Sequence, residues 1–294
     1  MRGKSKSTLA IEEAIDEIVG ERAPITVRGV CYALFVKGLI DSMNVNNTGR
    51  ISRVMTAMRE CGDLDWQLIV DGTRSVDRAR TWRDTSSLIR AATAQYRRDY
   101  WQDQPALVEV WSEKSTVAGV LQRVLEEYGC TFRVMKGFGS YTSVRQGAED
   151  SLAGCEDQDH IVLYLGDFDP SGLWMSEEDL PQRLERYGSQ WRFQRIAIMP
   201  EDTESLPSFD VGTKSGDARY SWYVRQYGHR AWELDAMDPN DLRERVESEI
   251  KSRLDMNLWK HAIKIERAEI ESMKDFQATW EQMKTSRDLL HGGA

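Results

Sequence analysis

Asp167 and Asp169 are the residues of this sequence best placed to do chemistry. They stand one residue apart in Leu163-Tyr164-Leu165-Gly166-Asp167-Phe168-Asp169-Pro170-Ser171-Gly172. The apolar run from Ile161 to Leu165 reads as a buried strand, and Pro-Ser-Gly stops it. Alternate residues of a strand face the same way, so at its end both carboxylates can address one point. Two hard oxygen ligands there suit Mg²⁺, which takes few carboxylates and keeps water and phosphate as its other ligands. The plainer reading is a turn cap, a position that Asp favours. Glu113 follows the strand-like run Leu107–Trp111 and adds a third acid at an equivalent strand end. The three together favour the metal.

These acids need an α/β frame. After the first strand the pattern gives a helix over 116–128, a strand over 131–135 and a Gly-rich loop Lys136-Gly137-Phe138-Gly139-Ser140. A helix to about Leu152, the strand with the Asp pair, a helix over 177–187 and a strand over 191–198 follow. Such alternation predicts a mainly parallel sheet with right-handed crossovers, whose sites lie beyond the strand C-termini.

The chain of 294 residues is long enough for two domains, and its 40% hydrophobic and 30% charged residues are ordinary for a globular protein. No apolar run approaches a membrane span and no signal-peptide core follows Met1, so a cytoplasmic protein is expected. Cys31, Cys61, Cys130 and Cys155 are scattered without a CxxC, and the four histidines are equally dispersed. Free thiols are expected, not disulfides, zinc or a His-based metal site. The net charge of −9 excludes a uniformly nucleic-acid-binding surface, but it is uneven: residues 1–104 net +2 and the rest net −11. A basic front that holds DNA and an acidic back that holds metal fit this, as does ordinary acidic solubility.

The front, 1–74, reads as three helices and a β wing, a winged helix-turn-helix. The first helix runs from Ser7 or Thr8 to about Val19. Thr26 caps the second, which carries Val30, Tyr32 and Leu34 to Gly38. After a polar loop over 42–48, the third runs from Gly49 to near Gly62. Leu64–Val70 reads as a wing strand with Asp71-Gly72 as its turn. The third helix would enter the major groove of double-stranded DNA, with Arg50, Arg53 and Arg59 toward phosphate or bases. A solvated arginine-bearing helix is the alternative. Residues 75–104 read as a charged linker helix, Ser75 to about Tyr100, with Arg78, Arg80, Arg83, Arg90, Arg97 and Arg98. The α/β part spans 105–240 and a helical C-terminal region spans 241–294, with an amphipathic helix over 241–254 and a charged helix from Met256 to Leu290.

One Glu after the first strand and Asp-x-Asp after a later one resembles the Toprim pattern. Gly166-Asp167-Phe168-Asp169-Pro170-Ser171-Gly172 is similar to the Asp-x-Asp-Pro-x-Gly element of the topoisomerase VI A subunit and its meiotic double-strand-break relatives. Lys136–Ser140 is similar to that family's Gly-rich loop, and Trp232-Glu233-Leu234-Asp235-Ala236-Met237 to its late Glu-x-x-Ala-Leu element. Val27-Arg28-Gly29-Val30-Cys31-Tyr32 is similar to the Arg-x-x-Tyr-Tyr run of its winged-helix cleavage domain, with Cys31 in place of the first tyrosine. The resemblance covers about residues 24–240.

The resemblance implies a Mg²⁺-dependent DNA-cleaving enzyme that works as a homodimer. Tyr32 would attack a phosphodiester and become joined to a 5′ phosphate, in trans to the partner's acids if the family arrangement holds. Glu113, Asp167 and Asp169 would hold the Mg²⁺, Lys114 would contact a phosphate oxygen, and Arg28, at i−4 from Tyr32, would stabilise the phenolate. Glu233 and Asp235 either add further acid to the site, Glu233 more so, or lie on a solvated strand edge. No nucleotide-binding loop is present, so strand passage would need a separate ATPase subunit. The protein would lie with nucleoid DNA in the cytoplasm. Two rivals remain open: a Toprim nuclease that hydrolyses DNA with a metal-activated water while Tyr32 is core, and a non-enzymatic winged-helix regulator with a vestigial Toprim domain.

Overall fold

The computed structural model describes residues 6–70, 81–135, 141–153, 158–214 and 216–291. The Asp71-Gly72 turn, Arg78, Arg80, the Gly-rich loop 136–140 and Cys155 lie outside the described residues. The chain divides into two units. One joins residues 1–74 to 106–253, and the other joins 75–105 to 254–294. Among the described residues no helix is long and apolar enough to cross a membrane.

Three helices open the first unit: α1 (Lys6–Arg22), then β1 (Ile25–Thr26), α2 (Val27–Val36) and α3 (Val45–Cys61). Apolar residues at helical spacing make their common core: Ile11, Ile15 and Ile18 from α1, Val30 and Leu34 from α2, Ile51 and Met55 from α3. α3 starts earlier than the sequence suggests, because the Asn44 side chain accepts from the Asn47 N–H and caps it at 2.9 Å. The expected wing strand is corrected. Asp65 caps a single 3₁₀ turn, Trp66–Leu68, which leaves only β2 (Ile69–Val70) extended, and β2 pairs parallel with β1.

In the second unit the expected helix over 75–100 is shorter, α4 (Thr85–Gln95). Asp84 and Ser87 form a capping box that fixes its start. After its end, Glu266 accepts the Arg98 backbone N–H at 2.8 Å and turns the chain out of helical path.

The sheet of the first unit is parallel, in the order β4–β3–β5–β6. It is built from β3 (Ala106–Ser112), α5 (Thr116–Tyr128), β4 (Thr131–Val134), α6 (Tyr141–Ala153), β5 (Asp159–Leu165), α7 (Pro170–Trp174), α8 (Leu180–Arg186) and β6 (Arg192–Ala197). β3 and β5 are buried almost throughout, as central parallel strands must be. Trp111, Val162, Tyr164, Met175, Leu180 and Leu184 form the core on one face. The front helices pack directly on this part. A Cβ on Gly119 of α5 would lie 2.5 Å from the Val70 side chain, so only glycine lets the two surfaces meet.

The expected helix over 177–187 begins sooner, at Pro170, and reaches Arg186 through a π-helical turn at Met175–Asp179. Proline there opens a helix instead of only ending a strand, because its missing N–H is unneeded in the first turn. The rest of the first unit is β7 (Phe209–Asp210), α9 (Tyr220–Tyr227), the antiparallel partner β8 (Arg230–Ala231) and α10 (Pro239–Lys251). The second unit ends in the long α11 (Met256–His291).

Candidate active site

The β3–β5 register sets Ser112 opposite Leu165, so both strands end at one level of the sheet. Glu113 follows one and Gly166-Asp167 the other. Asp167 is 8% exposed and Asp169 1%. Asp169 caps α7: its Oδ1 accepts from the Ser171 N–H at 2.9 Å, the Ser171 hydroxyl at 2.8 Å and the Gly172 N–H at 2.8 Å. The sequence offered cap or metal ligand for this residue, and one of its oxygens is a cap.

A second segment closes on these acids. Phe168 and Trp232 exchange backbone hydrogen bonds, at 2.8 and 3.0 Å, which draw residues 232–236 alongside. Phe168 also packs edge-on against Tyr227 and Trp232. The Leu234 N–H then donates to Asp167 Oδ1 at 2.7 Å. The Lys114 ammonium lies between two carboxylates, 2.8 Å from Asp167 Oδ1 and 2.9 Å from Asp235 Oδ2. The phosphate contact expected of Lys114 is thus an acid bridge in this structure. The other Asp235 oxygen accepts from the Thr26 hydroxyl at 2.7 Å. That same Oγ1 caps α2 through the Gly29 N–H at 2.9 Å.

α2 brings the other half. Arg28 donates through Nε and a terminal nitrogen to the two oxygens of Glu233, a bidentate pair. Its guanidinium carbon is 5.9 Å from the Tyr32 ring centroid, as the i, i+4 spacing requires. Tyr32 is 5% exposed.

The titrations follow from these contacts. Burial raises the Glu113 carboxyl to about 7, and the charges of Asp167 and Asp169 add to it. Burial also pushes Asp167 up, with Lys114 acting against it and Asp169 with it. Asp235 goes the other way: burial is outweighed by Lys114, Thr26 and Arg28, which hold it below the usual carboxylate range. Burial and then the Glu233 charge push the Tyr32 phenol up, against the pull of Arg28. Burial raises the Cys31 thiol to about 11.

These acids suit a hard cation. Burial and the mutual repulsion of Glu113, Asp167 and Asp169 raise the Glu113 and Asp167 carboxyls, a cost that a divalent cation among these oxygens would relieve. Among the described residues no three acids, histidines or cysteines converge as a preformed cage. Mg²⁺ does not require one, since it binds through one or two carboxylates plus water and phosphate.

The structure therefore brings together Tyr32, Arg28, Glu113, Lys114, Asp167 and Asp169, with Glu233 and Asp235 between the two halves. It does not bring Arg50, Arg53 and Arg59 to them. Arg50 and Arg53 are exposed on α3, and Arg50 bonds the Ser7 hydroxyl at 3.1 Å. Arg59 donates to the Met55 carbonyl and lies 4.8 Å over the Trp66 ring. The sequence reading found Thr26 as the cap of α2 but missed the Lys114–Asp235 bridge and the Thr26–Asp235 hydrogen bond. No local spacing encodes a contact between residues 121 positions apart. Cys31, Cys61 and Cys130 are free thiols. No protein-family model matches the chain, and no curated protein sequence matches it.

Proposed function

We propose that the chain is a Mg²⁺-dependent DNA-cleaving enzyme of the topoisomerase VI A type, with a Toprim-like α/β part and a winged-helix-like front. One observation carries the reading. The segment 232–236 links the tyrosine motif to the acids within a single chain, through Glu233 to Arg28 and through Asp235 to Lys114. A shared structural core would not require charged residues of both motifs to meet.

Glu113, Asp167 and Asp169 are the residues that would hold the Mg²⁺. Bound there, the ion would neutralise charge on the scissile phosphate and its leaving oxygen. Glu233, whose charge acts on Tyr32, takes the phenolic proton. The Tyr32 oxygen bonds to phosphorus and the bond to the 3′ oxygen breaks. The electron pair leaves on that oxygen, which takes a proton from water, and the 5′ phosphate stays on Tyr32. Arg28, parted from Glu233, serves the non-bridging oxygens. Arg50 and Arg53 on α3 offer outward cations for double-stranded DNA, and Arg59 with Trp66 an edge for its backbone. Two such sites in a homodimer would cut both strands, and a separate ATPase subunit would be needed for strand passage. The substrate implies a place at nucleoid DNA in the cytoplasm.

The burial of Tyr32 and its raised phenol favour a second reading, hydrolysis by a metal-activated water with Tyr32 as core. Supercoiled plasmid incubated with Mg²⁺ and then denatured separates the two. DNA held covalently by protein supports tyrosine attack. Cut DNA free of protein supports hydrolysis, and uncut DNA defeats both.

A further inference from the structure

Arg195 lies in β6, the strand beside β5. Its guanidinium reaches both sides of the acidic loop. Nε donates to the Ile198 carbonyl at 2.9 Å. One terminal nitrogen donates to the Ser176 hydroxyl at 2.7 Å and the Gly172 carbonyl at 3.3 Å. The other donates to the Gly166 carbonyl at 2.7 Å and to the Asp167 carbonyl. Gly166 and Asp167 end the strand, and Gly172 and Ser176 belong to the helical run that Asp169 caps. One planar group thus ties the backbone on either side of the Asp167–Asp169 pair.

The choice of acceptors is unusual. A guanidinium within range of the Asp167 and Glu113 charges would ordinarily take a carboxylate. Arg195 takes carbonyls and a hydroxyl instead, and among the described residues no carboxylate bonds to it. It supplies positive charge behind the acids while leaving their oxygens to others, in contrast to Lys114, which sits on Asp167 itself. Only arginine spans these acceptors, since lysine has three donors on one point.

We propose that Arg195 is the positioning residue of the acidic site, fixing the backbone that presents Asp167 and Asp169 to a divalent cation; the inference rests on the metal reading above.

The test is calorimetric titration of the full chain with Mg²⁺, alongside thermal unfolding without metal. The variants are Arg195→Lys, Ser176→Ala and, as control, Arg183→Lys, a buried arginine of α8 that bonds Asp179. Residues that orient metal ligands typically change affinity about 10- to 100-fold, and Arg195→Lys is expected to weaken Mg²⁺ binding by that much. Ser176→Ala removes one acceptor and is expected to weaken it about fivefold, as the loss of one hydrogen bond implies. Arg183→Lys is expected to lower the unfolding temperature and leave Mg²⁺ affinity unchanged. Affinity equal to wild type in Ser176→Ala and Arg195→Lys overturns the proposal. So does affinity that falls in all three variants in step with stability, which is what a merely structural role gives. If Arg195→Lys does not fold, Ser176→Ala decides. A wild-type chain that binds no Mg²⁺ overturns the metal reading and the proposal with it, whereas wild-type binding with unchanged variants overturns the role of Arg195 alone.

Discussion

Glu113 shows best what the acid cluster does to a single residue. Its carboxyl is raised to about 7, first by burial and then by Asp167 and Asp169. An exposed glutamate titrates near 4.3. The folded state therefore binds this proton more tightly than the unfolded chain, and the stability it contributes is fully present below about pH 4.3 and is lost as pH rises through about 7. In metal-free protein, Glu113→Gln is expected to raise stability at pH 8 by on the order of 2 kcal/mol and to flatten stability across pH 5–7. Denaturant unfolding at pH 5 and pH 8 measures this. Added Mg²⁺ should reverse the ranking, because the metal selects the ionised carboxylate of the wild type. Lower stability of the glutamine variant at pH 8 without metal would show that Glu113 is not strained by its neighbours.

At the scale of elements, the strand-to-helix turn from Gly166 to Trp174 carries the site. Asp169 and Pro170 start α7 immediately after the strand, so the helix must pass against the turn that precedes it. A Cβ on Gly172 would stand 2.3 Å from the Asp167 carbonyl oxygen. That contact is with backbone and cannot be relieved by a rotamer change. Gly172→Ala is expected to destabilise the protein by more than about 2 kcal/mol, read by denaturant unfolding. A neutral effect would mean that the turn is looser than its hydrogen bonds imply. The sequence showed this turn as a strand end with two acids, because alternation and Pro-Ser-Gly are local signals. It did not show α7, because Pro after Asp reads equally as a stop and as the first residue of a helix. The parallel sheet and the helices α2 and α5 were legible from hydrophobic period and caps. The two-residue strand Ile69–Val70 was not, since the apolar run Leu64–Val70 hid a capped 3₁₀ turn before it, and it pairs with Ile25-Thr26, far back in the chain.

At the scale of the molecule, the first unit contains every residue of the candidate site, from Arg28 to Asp235. The acids were legible as Glu113 and Asp-x-Asp, and the tyrosine motif as Arg28 and Tyr32. Their meeting was not legible, because Thr26–Asp235 and Arg28–Glu233 join residues over 200 positions apart. This single-chain linkage bears on the dimer. In place of the trans arrangement that the resemblance implies, Tyr32 and acids that act in one chain predict that a mixture of Tyr32→Phe and Asp167→Asn proteins cleaves no plasmid. Activity restored by mixing would mean that tyrosine and acids come from different subunits.

The most direct measurement is the trapping of a protein–DNA adduct. Wild-type protein is incubated with labelled duplex DNA and Mg²⁺, denatured, digested with protease and analysed by mass spectrometry. Tyrosine attack leaves a 5′-phosphoryl nucleotide on Tyr32, absent without Mg²⁺ and absent from Tyr32→Phe. DNA cleaved in a Mg²⁺-dependent manner with no adduct, or cleaved equally well by Tyr32→Phe, would contradict it.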